Sequence, residues 1–500
     1  MSTINPAVTA ANNSANSALQ QAAQSIISGS TGNSSMDVNS LVTALVNAKT
    51  AGQTAALNAQ QTSDNTQISA YGALSAALSA LQAGLTTLSN GSLQNTFTAT
   101  ASGTGLTATA GAGAVAGSYS VGVTQIATSQ SLSSAAFGGS TALGTGTMTL
   151  SLGSQSFTVN VDSTNNTLSG IAAAINSTTG NPGIVASVVN GSDGAHLVLS
   201  STPTGAANAI SVAVSNVSGD NGLSSLGVTS TASTTGGQST FTSANGSAAW
   251  KQSTAAQDAT FTINGIAATS ASNTVSSTIT GVTLNLTSAA VGSTQTLTVA
   301  TDTKSQASTI NNFVTLYNTL VTTMGSLSSF TSGASSQGPL LGDSTLNTIR
   351  NALASVVASG VKSNGSTVNL ASIGVTLQAD GTLQVDSSAL NTALQSNPTG
   401  VASLFNSTNG IGQQLTADIT NYTQTNGLIA ARTTALNNDL KSVTTQQTNL
   451  SNYAAQLTSQ YQAQFTALNT LMATMNSNSQ YLTQLFGGTN SAGALSSNKS

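Results

Sequence analysis

The chain has 500 residues, room for several domains, yet only 4% of them are charged, against ~25% in ordinary globular proteins. Its eight bases leave no basic footprint for nucleic acid, and with no cysteine there are neither disulfides nor thiolate metal sites. No stretch approaches ~18 consecutive apolar residues, and residues 1–35 lack the basic and apolar blocks of a Sec signal peptide, so neither membrane insertion nor that export route is expected.

Residues 1–35 lack an apolar stripe and are expected to be a disordered tail, as are 488–500. From 36 to 95 the pattern is helical: Leu57, Ile68, Tyr71, Leu74, Leu78, Leu81, Leu85 and Leu88 recur in steps of threes and fours, with polar Gln61 and Asp64 on the seam. Such a stripe cannot bury itself alone and needs a partner.

The middle alternates as strands do. Tyr119, Val121 and Val123 begin it; Met148, Leu150 and Leu152, then Gly153-Ser154, then Phe157, Val159 and Val161 predict a hairpin. Leu168, Ile171 and Ile175 have helical spacing, and Ile184, Ala186 and Val188 lead through Asn190-Gly191 to Leu197 and Leu199. After a Ser, Thr and Gly stretch at 229–248 and Trp250, strands resume at Phe261 and Ile263 before Asn264-Gly265, and continue through Val282, Leu284, Leu286, Leu297 and Val299. These patterns divide the middle into an inner β-domain, 96–130 plus 240–303, and an outer β-domain with a short helix, 131–239.

Ile310, Phe313, Val314, Tyr317, Leu320, Val321 and Met324 then restore the helical period, opening a returning helical and hairpin part over 304–427; Asp380-Gly381 between Leu377 and Leu383 signals a turn. The last element, 428–487, is a long imperfect coiled-coil helix: Leu436, Leu440, Val443, Leu450, Tyr453, Leu457, Tyr461, Phe465, Leu468, Met472 and Met475, with four-residue steps from Leu457 to Phe465 that locally unwind a supercoil. The fold class is therefore α+β multidomain: long terminal helices forming a coiled-coil or bundle stalk, with two inserted β-rich domains.

Chemistry finds little support. The lone histidine, His196, sits in a strand pattern beside Leu197 and reads as an exposed strand residue; the aspartates are scattered, and the glycine run from Gly103 to Gly117 lacks the Lys and Ser/Thr that end a phosphate loop. No enzyme activity, cofactor or metal is expected.

Several segments resemble the bacterial flagellar filament cap family, hook-associated protein 2. They are Met36-Asp37-Val38-Asn39-Ser40-Leu41-Val42, Ile68-Ser69-Ala70-Tyr71-Gly72, Gly117-Ser118-Tyr119-Ser120-Val121, the Ile175-Asn176 pair, Phe261-Thr262-Ile263-Asn264-Gly265, Leu341-Gly342-Asp343-Ser344 and Met475-Asn476-Ser477, in family order from about 36 to 486. Lys49-Thr50-Ala51-Gly52 departs from the family pattern and leaves any break in the first helix to Gly52. The resemblance implies a secreted protein of the extracellular filament tip, which oligomerises with copies of itself and promotes folding and insertion of exported flagellin, with adhesion as an added role. Implied partners are flagellin and filament-tip subunits, the flagellar export apparatus and an export chaperone at the C-terminal helix. Self-association and filament contact are expected at Ile68, Tyr71, Leu74 and Leu78 and at Leu450, Leu457, Tyr461, Phe465, Leu468, Met472 and Met475. Another axial protein, flagellin or a hook–filament junction protein, and a surface adhesin stay open as alternatives.

Overall fold

The computed structural model describes residues 6–31, 38–246, 249–332, 337–363 and 366–486. Two compact units divide the chain: Met1–Asn90 with Ile310–Ser500, and Gly91–Thr309. The helices are α1 (Pro6–Thr31), α2 (Val38–Gly84), α3 (Thr86–Ser89), α4 (Leu168–Ser177), α5 (Thr303–Leu327), α6 (Ser344–Ala358), α7 (Ser387–Ser396), α8 (Pro398–Leu404), α9 (Ile411–Thr423) and α10 (Leu428–Phe486).

In the first unit α2 packs along both α1 and α10. The expectation of a disordered tail over 1–35 needs correction for 6–31, which form a helix; the remainder of that tail and the whole of 488–500 lie outside the described residues. Val8, Ala11, Ala15, Ala18 and Leu19 make a stripe of mostly small side chains on α1, partly or wholly buried, and a search for large apolar residues misses it. Nor does Gly52 break α2, which runs unbroken for 47 residues, about 70 Å. An interior glycine costs a helix only about 1 kcal/mol, and here it makes room: a Cβ on Gly52 would stand 2.6 Å from Asn12 Oδ1 of α1.

The lower part of α2 enters a helical core in which Tyr71, Leu74, Leu78, Leu81, Leu85 and Leu88 are buried, as are Phe313, Tyr317, Leu346, Ile349, Leu353, Leu415 and Ile419. Helix α9 touches α2, α3, α6 and α10 there. Two small hairpins complete the return, Gly360–Ser363 with Ser366–Asn369 and Val375–Leu377 with Leu383–Val385. Gly381 turns the second at φ +86°, as Asp380-Gly381 signals.

The second unit is built from β1 (Phe97–Ala101), β2 (Leu106–Ala110), β3 (Gly117–Gln125), β4 (Ser131–Ser133), β5 (Thr145–Leu152), β6 (Gln155–Val161), β7 (Ile184–Gly191), β8 (Gly194–Ser201), β9 (Ile210–Ser218), β10 (Val228–Thr231), β11 (Thr240–Ser243), β12 (Lys251–Thr254), β13 (Ala259–Ile263), β14 (Ile266–Ser270), β15 (Thr274–Ile279), β16 (Val282–Leu286) and β17 (Thr294–Thr301). The inner β-domain pairs a sheet of order β1-β17-β3-β13-β14 with one of order β15-β16-β2 over a core that includes Val121, Phe261, Leu284 and Leu297. Outside it, sheets β11-β10-β9-β5-β6 and β12-β4-β8-β7 enclose Met148, Leu150, Phe157, Ile171, Ile175, Leu197 and Trp250, with α4 supplying the isoleucines. The alternation explains each inward set, since every second side chain of a strand faces one side.

Two boundaries and the setting of one residue differ from the sequence reading. Thr240–Ser243 and Lys251–Thr254 pair in the outer sheets and Trp250 fills the outer core, so 240–254 belong to the outer β-domain rather than the inner. The turn expected at Asn190-Gly191 falls at Ser192-Asp193, because Asn190 still pairs with Ala195 and the ladder closes at Gly191 and Gly194. His196 is not a free exposed residue: its Nδ1 lies 2.8 Å from the Ser134 carbonyl oxygen and its Nε2 3.0 Å from Asp193 Oδ1. Where the chain enters the outer β-domain Gln130, fully buried, takes the Ile210 N–H on its side-chain oxygen and donates to Ser230 and Gln252, a neutral network within that domain in a chain poor in ions.

Candidate assembly surface on the helical stalk

The stalk seam is made by α2 and α10 running antiparallel. Leu57 packs with Val443 and Leu450; further along, Val42 and Val46 pack with Leu457, flanked by Val38, Ala454, Tyr461 and Phe465. Polar side chains fill the intervals, Gln447 donating to Asn58 Oδ1 at 3.0 Å and to Gln61 Oε1 at 3.4 Å. Asp64 is also on this seam, 2% exposed, with Oδ1 taking the Gln60 amide at 2.9 Å and Oδ2 left without a hydrogen-bond partner. Threonine hydroxyls on α10 turn inward to the helix's own carbonyls, as Thr444 does to Leu440 at 2.9 Å and Thr458 to Ala454 at 2.8 Å. That satisfies them without charge or external partners.

Where α2, α6 and α10 meet, the sparse charges are used together. Asp343 caps α6 by accepting the Leu346 N–H at 2.9 Å, and its Oδ2 lies 3.7 Å from Arg432 Nε. Arg432 donates in turn to Gln67 Oε1 at 3.4 Å. Burial, with the Asp343 carboxylate adding to it, pushes the Tyr71 hydroxyl up to about 12.

The candidate contact residues of the sequence fall into two classes. Tyr71, Leu74 and Leu78 are wholly buried within the chain, Leu450 and Leu457 nearly so, and Ile68, Tyr461 and Phe465 are half-buried. The buried five, Tyr71, Leu74, Leu78, Leu450 and Leu457, are packed within their own chain and build the stalk, whereas Ile68, Tyr461 and Phe465 keep part of their surface exposed. Leu468, Met472 and Met475 are different, at 43%, 37% and 62% exposure. Past Phe465 the opposing helix α2 has ended, and α10 continues to Phe486, about 30 Å more. Leu471, Tyr481, Leu482, Leu485 and Phe486 are exposed there too. Sequence reasoning did not place these five among the contact residues. Their signal was that no charged residue follows Lys441 anywhere in α10 while apolar residues continue to its end.

An apolar, uncharged helix end of this kind can bind by burying area and exchanging amide and hydroxyl hydrogen bonds, at about 1.5–3 kcal/mol for each large side chain fully buried. A second apolar surface lies in the inner β-domain, a groove of about 490 Å³ lined by Val115, Tyr119, Ile263, Ile266 and Ile279. Among the described residues no cluster of three or more His, Asp or Glu side chains is placed to hold a metal ion, and no helix is long and apolar enough to cross a membrane.

Family comparison assigns residues 34–130 to the flagellar hook-associated protein 2 N-terminus, 256–477 to the flagellar hook-associated protein 2 C-terminus, and 147–203 to the flagellin hook IN motif. The chain is 33% identical over 241 residues to flagellar hook-associated protein 2 of Salmonella typhimurium, covering 46% of this chain and 51% of that one. It is 32% identical over 236 residues to the B-type flagellar hook-associated protein 2 of Pseudomonas aeruginosa, covering 46% and 49%. The chain thus spans about half the length of the curated relatives it matches. In three dimensions it is similar to the crystal structure of the D1-D2-D3 domains of the flagellar cap protein FliD from Escherichia coli, with TM-score 0.61 and 33% identity, over 74% of this chain and 99% of that one.

Proposed function

We propose, since this chain belongs to the flagellar hook-associated protein 2 family, that it caps the growing flagellar filament and is not an enzyme. Copies assemble at the filament tip, outside the cell, and flagellin delivered by the export apparatus folds and inserts beneath them. The observation that carries this reading is the neutral apolar end of α10, exposed beyond a seam that is otherwise buried. A cap must hold the tip and yet release it each time a subunit is added. Burying a charge costs several kcal/mol unless it is paired, whereas hydroxyls and amides can exchange partners at each step. Before assembly the same helix end needs cover, which is the place for an export chaperone.

Leu468→Asp with Met475→Asp, introduced into the full chain, tests the reading. Both positions are exposed, so the fold and its circular dichroism stay as they are. Cells carrying the variant are expected to lose motility and to leak flagellin into the medium. Filaments of normal length without leakage would overturn the docking role of α10.

A further inference from the structure

Strand β7 is the last strand of the sheet β12-β4-β8-β7, and its outer side is a template on which another strand could add. It is eight residues long, pairs with β8 without any register shift and contains neither proline nor charge; Val185 and Val189 are about half exposed. Proline, charge and a bulge, the guards a strand can carry itself, are absent, and the cover comes from α4, which packs against β7, and from the loop after it. Two asparagines stand in place of the missing guards. Asn176 Nδ2 donates to the Ala186 carbonyl at 2.7 Å while its Oδ1 accepts the Ala186 N–H at 2.9 Å. Asn181 does the same at Ile184, donating at 2.7 Å and accepting at 2.8 Å.

The ladder geometry makes these the residues that matter. With Gly191 and Gly194 closing a two-residue turn, alternation along the antiparallel pair directs the backbone groups of Ile184, Ala186, Val188 and Asn190 away from β8. Each asparagine amide therefore pairs with a residue's outward N–H and C=O as a neighbouring strand would. What stays open is Val188–Gly191, shorter than the five or six residues of a typical strand. The adjacent pair Ile175-Asn176 gains a physical reason: Ile175 is buried in the outer core, while Asn176, one residue on at the end of α4, is exposed and lies at the sheet edge.

We infer that Asn176 and Asn181 act as a side-chain strand that closes the edge of the outer β-domain against strand addition by a second copy of this chain. In a protein with 4% charged residues, amides do the guarding for which other proteins use lysine. The inference stands apart from the capping role, since it concerns only the outer domain.

The test compares Asn176→Ala and Asn176→Lys in the full chain with the unaltered chain, by light scattering across a concentration series and by hydrogen exchange at the Ala186 amide. Both variants lose the amide pair, so exchange at Ala186 in dilute solution is expected to quicken roughly fivefold to tenfold, the worth of about one hydrogen bond. Only Asn176→Ala opens the edge from Ala186 to Gly191 without placing a charge there, Asn181 still covering Ile184. It is expected to associate beyond the assembly of the unaltered chain, increasingly with concentration, while Asn176→Lys does not. Equal mass for Asn176→Ala and the unaltered chain, or equal association of both variants, would overturn the inference. So would loss of the outer domain's fold in both, which would make Asn176 a group that holds the fold and not one that guards its edge.

Discussion

Leu457→Ala removes three carbons from the seam between α2 and α10. Leu457 is 8% exposed and packs with Val42 and Val46. At about 0.8 kcal/mol per buried carbon the transfer loss is roughly 2.4 kcal/mol. The cavity term is small, because a two-helix seam can close or admit water, so the cost falls at about 2–3 kcal/mol, the low end for buried leucines. Because the chain has two units, a single melting midpoint would blur this loss, and hydrogen exchange reads it by segment. Amides of α2 from Val42 to Leu57 are expected to exchange roughly 30- to 150-fold faster, with those of Phe157 and Val159 in the outer β-domain unchanged. Unchanged exchange in α2 would mean that Leu457 does not hold the seam, and an equal rise in the β-domain would mean that the loss is not confined to it.

Other perturbations follow from the same geometry. Asp64→Leu replaces a buried, half-satisfied carboxylate by an apolar side chain and should stabilise the α2–α10 pair by about 1 kcal/mol or more, read as slower exchange along the seam; a loss of stability would contradict it. Gly52→Leu forces the exposed Asn12 side chain to swing aside and should loosen α1 while leaving α2 helical, seen as faster proteolysis within 6–31. The His196 pKa is raised, first by the Ser134 carbonyl and then by Asp193. Its contribution is therefore whole below the ordinary histidine value of about 6.5 and is lost as pH climbs through the raised one. Nuclear magnetic resonance of this single histidine should give a midpoint above 6.5, returning toward it in Asp193→Asn. In the acid range Asp162, Asp220, Asp302 and Asp380 are held low by Thr or Ser hydroxyls and by backbone N–H groups, so their contribution persists until pH falls through those lowered values. Asp418, raised by burial, gains stability as pH falls. Thermal midpoints should thus move little between pH 7 and 4, and a fall of more than ~10 °C would show that a few aspartates dominate.

Periodicity made much of this architecture legible. The seam of Leu450 and Leu457 and the hairpin joining Leu150 to Phe157 both follow from spacing alone, because burial on one face imposes a period on the sequence. What escaped has a physical cause in each case. Helix α1 packs through alanines, which carry little hydrophobic signal at close approach. The strands at 240–254 were assigned to the wrong domain because pairing partners far apart in sequence leave no local mark. In the stalk, a heptad reports that a side chain will be buried but not by what. Tyr71, Leu74 and Leu78 carry the same pattern as Leu468 and Met475, and only the end of α2 separates the packed set from the exposed one.

The absence of cysteine allows the docking of α10 at the filament tip to be tested on a single thiol. Met475→Cys, exposed on the free end of α10, can be labelled with a maleimide-linked gold particle on flagellated cells and cross-linked to whatever it touches. Gold is expected only at filament tips, with a cross-link joining this residue to flagellin. Gold along the filament or over the cell body, or a tip label without any cross-link to flagellin, would contradict it.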